Sequence, residues 1–330
     1  MHTKKQILTI VVLVSLLLIS SCRVYKQNSS QDNTNEAMVI RINDTERYGS
    51  HIIGIVRAKD LLDLYLPDNI IVEWTSVTNS TNIRDAIATG DIDIASLGIP
   101  NYILAKESNY PILLLARSST TSSYFYSNNE KIMKFEDINS TTRVAIASKG
   151  TINHLAFLIK CEEVFGDPMI YDNNLVAMSY SDMITSLSTS NEIDCAIITM
   201  PAFIEADQIP TLVRVEDMTQ IYLDNHLDVC FVVSNDFYQS NPELVDAFMK
   251  AVEDAFTYVD EYPNEAAELL SEAYKIDASY VKDELRKLPH KTDIMGYDEL
   301  ASFLYHVGML DKEPGLFIDL PNLKEVPHSN

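Results

Sequence analysis

Apolar residues along the chain fall into two patterns, short continuous runs and longer segments with helical spacing. The continuous runs predict strands at residues 38–42, 70–74, 92–97, 112–116, 143–147 and 229–233. Helical spacing predicts helices at residues 51–66, 82–89, 242–260 with Asn241 as cap, 264–275, 277–288 and 297–309. Strands that are apolar on both faces and alternate with helices indicate an α/β fold built on mostly parallel sheets.

The chain repeats itself at an offset of 101 residues. Residues 83–105 align without gaps with residues 184–206, and the same offset places Gly49 on Gly150. Two copies of one strand, loop and helix unit are the economical interpretation. Chance similarity of two helix-turn-strand units is the alternative, and the second match at the identical offset counts against it.

Loops that follow the predicted strands form two matched sets, at residues 48–51 and 98–101 in one copy and 148–153 and 199–202 in the other. In open α/β sheets, ligands bind beyond the carboxyl ends of the strands. The helices that follow these loops would point their N-termini into the same space, where free N–H groups favour negative charge. The sequence therefore predicts a cleft for a small solute, especially an anionic one.

The N-terminus has the pattern of an export signal. Lys4 and Lys5 precede a short apolar run at residues 7–19, which is too short to span a bilayer, and small residues lead into Cys22. This arrangement resembles a bacterial lipoprotein signal, so we expect residues 1–21 to be removed and Cys22 to carry the lipid. A plain secretory signal with an incidental cysteine is the alternative. Residues 22–36 are polar and are predicted to be a tether.

Composition narrows the range of partners. The chain has 25 basic and 48 acidic side chains and a net charge of -23, which argues against nucleic acid because phosphate contacts need clustered Lys and Arg. Cys161, Cys195 and Cys230 lie in apolar segments, so we expect buried free thiols, with one disulfide among the three as the alternative. Without CxxC spacing or paired histidines, we expect neither a metal nor another cofactor.

The order of these segments resembles a known family of transport proteins. The stretches that carry the resemblance are Gly49-Ser50, Gly90-Asp91-Ile92-Asp93-Ile94-Ala95, Gly98-Ile99-Pro100, Ala145 to Thr151 and Ile193-Asp194-Cys195-Ala196. Together they are similar to the substrate-binding proteins of ABC transporters for nitrate, sulfonate, taurine and thiamine precursors. The resemblance covers residues 37–310.

This resemblance implies a two-lobed, periplasmic-binding-protein-like fold of type II, with the ligand cleft between the lobes. Lobe 1 would comprise residues 37–118 and 230–330, lobe 2 residues 124–224, and the crossings residues 118–123 and 225–229. It implies a monomer, held at the outer side of the cell membrane by its lipid, that closes over a small solute and delivers it to an ABC permease with its ATPase.

Candidate ligand-binding residues lie in the cleft loops or at the crossings. They are Tyr48, Gly49, Ser50, His51, Gly98, Pro100, Asn101, Arg117, Ser148, Gly150, Thr151, Asn153, Thr199, Met200 and Asp228. Helix capping is the alternative role for the hydroxyls, and turn formation is the alternative for the residues at strand ends. Arg117 is a candidate partner of an anionic group or of a surface carboxylate, and Asp228 of an amino group or of hinge hydrogen bonds.

Two other functions stay open at this stage. A surface lipoprotein that senses a ligand or adheres to a host, without transport, would need the same fold. An enzyme of the type that makes the thiamine pyrimidine is the third interpretation. The Cys-rich segment of that branch is absent, as are a Gly-x-Ser-x-Gly elbow and a phosphate loop, so we expect no catalysis.

Overall fold

The computed structural model describes residues 37–44, 51–77, 80–190, 192–288, 294 and 296–312. The predicted signal, the tether and Cys22 lie outside these ranges, as do Tyr48, Gly49 and Ser50. Within the described ranges, no helix is long and apolar enough to cross a membrane.

The strands assemble into two five-stranded sheets. In chain order they are β1 (Met38–Asn43), β2 (Ile70–Thr75), β3 (Ile94–Gly98), β4 (Ile112–Ser119), β5 (Ser123–Ser127), β6 (Val144–Ile146), β7 (Leu175–Ala177), β8 (Cys195–Thr199), β9 (Val213–Asp217) and β10 (Val229–Ser234). Sheet A has the order β2-β1-β3-β10-β4, and sheet B has the order β7-β6-β8-β5-β9. We refer to sheet A with its helices as lobe 1 and to sheet B with its helices as lobe 2.

Both sheets are mixed rather than parallel throughout. In sheet A, β1 and β3 are parallel, whereas β10 runs antiparallel to both β3 and β4. In sheet B, β6, β7 and β8 are parallel, whereas β5 runs antiparallel to β8 and β9. The antiparallel strand of each sheet is the first one that the chain forms after passing over from the other sheet.

The predicted repeat is confirmed in the architecture, because the two sheets have the same strand order. The match extends to single hydrogen bonds. Asp93 accepts the Arg41 N–H through its carboxylate at 2.7 Å and donates its own N–H to the Arg41 carbonyl at 2.9 Å. Asp194 repeats both bonds with Arg143, at 2.8 and 2.9 Å. Asp93 and Asp194 therefore bond the start of β3 to β1 and the start of β8 to the residue before β6.

Helices connect the strands and cover the sheets. They are α1 (His51–Ala58), α2 (Ser80–Thr89), α3 (Ile99–Glu107), α4 (Ile152–Phe165), α5 (Tyr180–Thr189), α6 (Ala202–Ala206), α7 (Thr219–Asp224), α8 (Asn235–Ser240), α9 (Pro242–Glu261), α10 (Pro263–Tyr274), α11 (Ala278–Lys287) and α12 (Tyr297–His306). The first helix is shorter than predicted. Asp60 adopts a left-handed conformation with φ of 50°, which ends α1, and residues Leu61–Leu64 form a separate 3-10 turn.

The long helix α9 packs through the apolar stripe that its sequence predicts. Leu244, Phe248 and Val252 are buried, and the Phe248 ring meets Phe231 of β10 edge to face at 5.3 Å between centroids. Asn241 precedes the helix but makes no capping bond, which corrects its predicted role. Its side chain instead donates to the Phe237 carbonyl at the end of α8.

Two clusters of buried apolar side chains form the core, and each contains residues from both sheets. One includes Ile42 of β1 and Ile198 of β8, and the other includes Leu97 of β3 and Ile146 of β6. Cys161, Cys195 and Cys230 are buried free thiols, as predicted. The lobes therefore share apolar contacts as well as chain connections.

The chain passes between the sheets twice. It leaves sheet A at the end of β4 and enters sheet B at the start of β5, with only three residues between the two strands. It returns through the segment between α7 and β10. Both passages lie at the edge where β3 and β8 end, which is the edge that carries the predicted cleft loops.

Candidate functional site

The carboxyl ends of the inner strands are bonded directly to the two passages between the sheets. In lobe 1, the N–H of Ile99, just after β3, donates to the Asp228 carbonyl at 2.9 Å. In lobe 2, the N–H of Met200, just after β8, donates to the Ser122 carbonyl at 3.3 Å. Loops 98–101 and 199–202 therefore lie on either side of the crossings, as the repeat predicts.

Two matched glycine loops face the opposite lobe. A β-carbon placed on Gly98 would lie 3.5 Å from a methyl group of Ile152, the first residue of α4. One placed on Gly150 would lie 3.2 Å from a methyl group of Leu104 in α3. Gly150 also has a φ of +79°, a conformation that L side chains rarely adopt. The N-termini of α3 and α4 consequently approach each other closely across the boundary between the lobes.

Arg117 and Asp228 form an ion pair beneath these loops. Arg117 lies near the end of β4, and Asp228 immediately precedes β10. The Arg117 Nη2 atom is 3.1 Å from Asp228 Oδ1, and the Asp228 side chain is only 1% exposed. The predicted surface salt bridge of Arg117 is thus wrong in its location, because the pair is buried. The two charges are paired by distance, while the Arg117 Nε atom is buried without a hydrogen-bond partner among the described residues.

The loop between β6 and α4 is fastened by a second polar cluster. Asp172 pairs with Lys149 through one carboxylate oxygen, and its other oxygen lies 2.8 Å from His154 Nε2. His154 Nδ1 accepts the Gly150 N–H at 3.0 Å, so the ring is the neutral tautomer that donates from Nε2. Burial is the main cause that lowers the pKa of His154, and the bonds to Lys149 and His154 lower the pKa of Asp172 against its own desolvation.

A hydroxyl and an amide converge on one tyrosine at the carboxyl edge of sheet B. Thr199 donates to the Tyr180 hydroxyl oxygen at 2.7 Å, and the Asn153 amide donates to the same oxygen at 3.2 Å. Tyr180 is the first residue of α5 and was not among the predicted site residues.

Asn101 occupies the first turn of α3 between the two lobes. The residue is 8% exposed. Its Oδ1 atom would lie 3.2 Å from a β-carbon placed on Gly98, in the same region where Ile152 approaches.

The first crossing is a continuous run of buried hydroxyl residues, Ser118 to Ser123. The N–H of Ser122 donates to Glu284 Oε2 of α11 at 3.1 Å, although the two residues are 162 positions apart. Glu284 is 2% exposed, and desolvation raises its pKa. A lobe 1 helix thereby holds the backbone of the segment that leads into lobe 2.

Comparison with known proteins identifies the family. The family model described as NMT1/THI5 like matches residues 51–266, well over half of the chain. The chain belongs to the NMT1/THI5-like family. A search of curated proteins gave no significant match.

Solved structures similar to this NMT1/THI5-like protein share its two-lobed α/β fold. A zinc-bound ligand-binding component of an ABC-type import system from Staphylococcus aureus is 17% identical, with a TM-score of 0.69, covering 84% of this chain and 94% of that one. The periplasmic aliphatic sulphonate-binding protein SsuA of Escherichia coli is 16% identical, with a TM-score of 0.67 and coverage of 83% and 89%. The periplasmic nitrate-binding protein NrtA of Synechocystis is 17% identical, with a TM-score of 0.59 and coverage of 75% and 70%. These similarities confirm the predicted fold class.

In this NMT1/THI5-like chain the described site residues other than Arg117 and Asp228 have three kinds of surroundings. Gly98, Pro100, Asn101, Gly150, Asn153, Thr199 and Met200 lie at the ends of the inner strands or at the start of α3 and α4. Thr151 donates its hydroxyl to the Ser148 carbonyl at 2.7 Å and makes no capping bond. Ser148 donates its own hydroxyl to the Lys149 carbonyl at 3.3 Å, so both hydroxyls are bonded within the loop. His51 is buried at the start of α1. Among the described residues, no group of three His, Cys, Asp or Glu side chains is placed to hold a metal ion.

Proposed function

We propose that this protein is an extracytoplasmic solute-binding protein that captures a small organic or anionic solute between its two lobes and delivers it to an ABC importer. The observation that carries the proposal is the approach of the matched loops across the lobe boundary, Gly98 to Ile152 and Gly150 to Leu104. Small residues at both points let a ligand approach the backbone from either lobe. The sulfonate- and nitrate-binding relatives are named as binding proteins of this kind, which supports the proposal.

The ligand-binding surface that we propose combines one set of groups from each lobe. Lobe 1 contributes Gly98, Pro100 and Asn101, and lobe 2 contributes the Asn153, Tyr180 and Thr199 network. Arg117 and Asp228 lie below both sets and hold the crossings together. We propose the lobe boundaries that the sequence predicts, at the crossings 118–123 and 225–229. Closure of the lobes would bury the solute by a hinge motion.

We further propose that a lipid on Cys22 anchors the protein to the outer face of the membrane, as a monomer that presents its captured solute to a permease. Growth with labelled palmitate tests the anchor. The label should be incorporated into the full-length chain and should be lost in Cys22→Ala, whereas incorporation into that variant would contradict acylation at Cys22.

A thermal-shift screen tests solute binding directly. The set should contain sulfonates, nitrate, bicarbonate, riboflavin-like compounds and thiamine precursors. A ligand at about 100 times its dissociation constant stabilises the folded state by about 2.7 kcal/mol, which is readily measured. Tyr180→Phe, which removes the oxygen that Thr199 and Asn153 share, should weaken a true hit. Tyr238→Phe, on α8 in lobe 1, is the matched control. A screen in which no compound raises the melting temperature would count against solute capture.

A further inference from the structure

Polar side chains at the start of the first crossing are buried without hydrogen-bond partners. Ser118 and Thr120 are 1% and 2% exposed, and neither hydroxyl has a partner among the residues that the structure describes. The same is true of the Arg117 Nε atom, although Arg117 Nη2 pairs with Asp228. A buried donor without a partner costs the desolvation of that group, so such groups are uncommon in folded proteins. Their concentration in one short segment points to a ligand that binds there.

A β-bulge sets the position of the Ser118 side chain. Ser119 of β4 lies opposite Val229, and Arg117 lies opposite the next residue of β10, so Ser118 has no opposite residue on that strand. Bulges redirect a side chain and are common beside active sites. Val229 in turn lies opposite Gly98 of β3. The bulge is therefore separated by a single strand from the cleft loop of lobe 1.

The crossing also runs beside the cleft loops of lobe 2. Its Ser122 carbonyl accepts the Met200 N–H at 3.3 Å, and Ile152, the first residue of α4, approaches Gly98. The first N–H groups of a helix have no acceptor within the helix, and Thr151 makes no capping bond to α4. Such a helix N-terminus favours a negative group. A solute between the lobes therefore meets hydrogen-bond donors from the crossing and from α4.

From these observations we infer that the first crossing is part of the binding surface, and that Arg117 Nε and the hydroxyls of Ser118 and Thr120 bind an oxyanionic group of the solute, such as a carboxylate or a sulfonate. The inference rests on the proposed solute-binding function and adds the residues that recognise the ligand. Arg117 Nε can only donate, and each hydroxyl can donate as well, so the three groups match an acceptor with several oxygens. Because Arg117 and Asp228 carry opposite charges, the preference for an anion comes from these donors and from α4.

Two adjacent threonines form a matched pair that tests the inference without a ligand. Both are buried, but the Thr121 hydroxyl donates to the Ser122 carbonyl at 3.3 Å, whereas the Thr120 hydroxyl has no such partner among the described residues. Valine replaces the hydroxyl with a methyl group of similar size. In the solute-free protein, Thr120→Val should therefore have a higher melting temperature than Thr121→Val. An equal or lower melting temperature would overturn the inference, because it would show that the Thr120 hydroxyl is already satisfied in the absence of solute.

Probe binding tests the same side chains in their proposed role. The anionic probes are benzoate, nicotinate and ethanesulfonate, and their neutral counterparts are benzamide, nicotinamide and ethanesulfonamide. Titration calorimetry should show that the anion of a pair binds about tenfold or more tightly than the amide. Thr120→Val and Ser118→Ala should each weaken the tightest anion by about tenfold, whereas Thr121→Val should bind it as the parent does.

Three results would separate this inference from the proposed function. Tighter binding of the amides, or unchanged affinity in both Thr120→Val and Ser118→Ala, would overturn the inference while leaving solute capture intact. No binding of any probe, together with a negative wider screen, would contradict the proposed function, and the melting temperatures of the threonine variants would still decide whether the crossing hydroxyls lack an internal partner. If Thr120→Val does not fold, Ser118→Ala provides both measurements.

Discussion

Arg117 Nη2 lies 3.1 Å from Asp228 Oδ1, and this contact joins the two segments by which the chain passes between its lobes. Arg117 precedes the first crossing and Asp228 ends the second. Because both groups are buried, the pair costs desolvation, and its main effect is to penalise any state in which either charge is left alone. The crossings are therefore fixed to each other at the base of the proposed cleft.

Removing one partner of this pair should be much more harmful than removing both. Asp228→Leu leaves a buried guanidinium without its carboxylate and should lower the free energy of unfolding by about 3 to 5 kcal/mol. Arg117→Met should cause a similar loss. The double variant should recover much of the stability, because two apolar side chains leave no buried charge. Urea unfolding of all four proteins gives the coupling energy, and additive losses would contradict a direct interaction.

The neutral state of His154 makes stability depend on pH. Burial lowers its pKa in the folded protein below the usual 6.5. As the pH falls below 6.5, the unfolded chain is therefore protonated at this position before the folded chain is. The contribution of His154 to the free energy of unfolding is fully present above pH 6.5 and is lost as the pH falls through its pKa in the folded protein. His154→Gln should reduce the difference in unfolding free energy between about pH 7.5 and about pH 5.5. The control is His306→Gln, which alters an exposed histidine. An unchanged pH dependence in His154→Gln would contradict the assignment.

Glu284 should have the opposite pH signature. Desolvation raises its pKa above the usual 4.5, so the folded state binds a proton more readily than the unfolded chain does. The contribution of Glu284 to the free energy of unfolding is fully present below pH 4.5 and is lost as the pH rises through the pKa of Glu284 in the folded protein. Glu284→Gln can still accept the Ser122 N–H and should show a smaller decline toward neutral pH. Asp283→Asn, the exposed neighbour on α11, should decline as the parent does. A steeper decline in Glu284→Gln would contradict the account.

Gly296 should be intolerant of a side chain for reasons of space as well as conformation. Its φ is +71°, and an added β-carbon would lie 2.0 Å from the His226 ring at the second crossing. Gly308 has a similar φ of +73° but nothing within 4 Å of that position. Gly308→Ala should cost about 1 to 2 kcal/mol from conformation alone, and Gly296→Ala clearly more. His226→Ala should restore part of the loss in Gly296→Ala, and equal losses at both glycines would contradict the predicted clash.

The sequence was most informative where one pattern occurs twice. The offset of 101 residues located loops 98–101 and 199–202, and it anticipated that Asp93 and Asp194 would have equivalent positions. Their identical bonds to Arg41 and Arg143 show why the spacing matters, since each aspartate sets the register of an inner strand. Local patterns also located most helices and strands to within a few residues.

Contacts between residues that are far apart in sequence could not be predicted from these local patterns. Arg117 and Asp228 are far apart in sequence, and their pairing follows from β10 lying between β3 and β4, an order that no local pattern reports. The bond from Ser122 to Glu284 depends likewise on how α11 packs against the crossing. Asn101 was predicted as a site residue from its loop, but the approach of Ile152 from the other lobe to the neighbouring Gly98 became visible only in the folded structure.

The distance between the lobes, measured with and without a bound solute, tests the central claim most directly. Spin labels on cysteines introduced at Glu73 in β2 and Asn173 before β7 would report from outer parts of the two lobes. The three thiols in the described part of the chain are buried, and Cys22 would be replaced by alanine. The account predicts a shorter and narrower distance distribution when the tightest probe of the screen is added. Tight binding of that probe with no change in the distance would contradict capture by lobe closure.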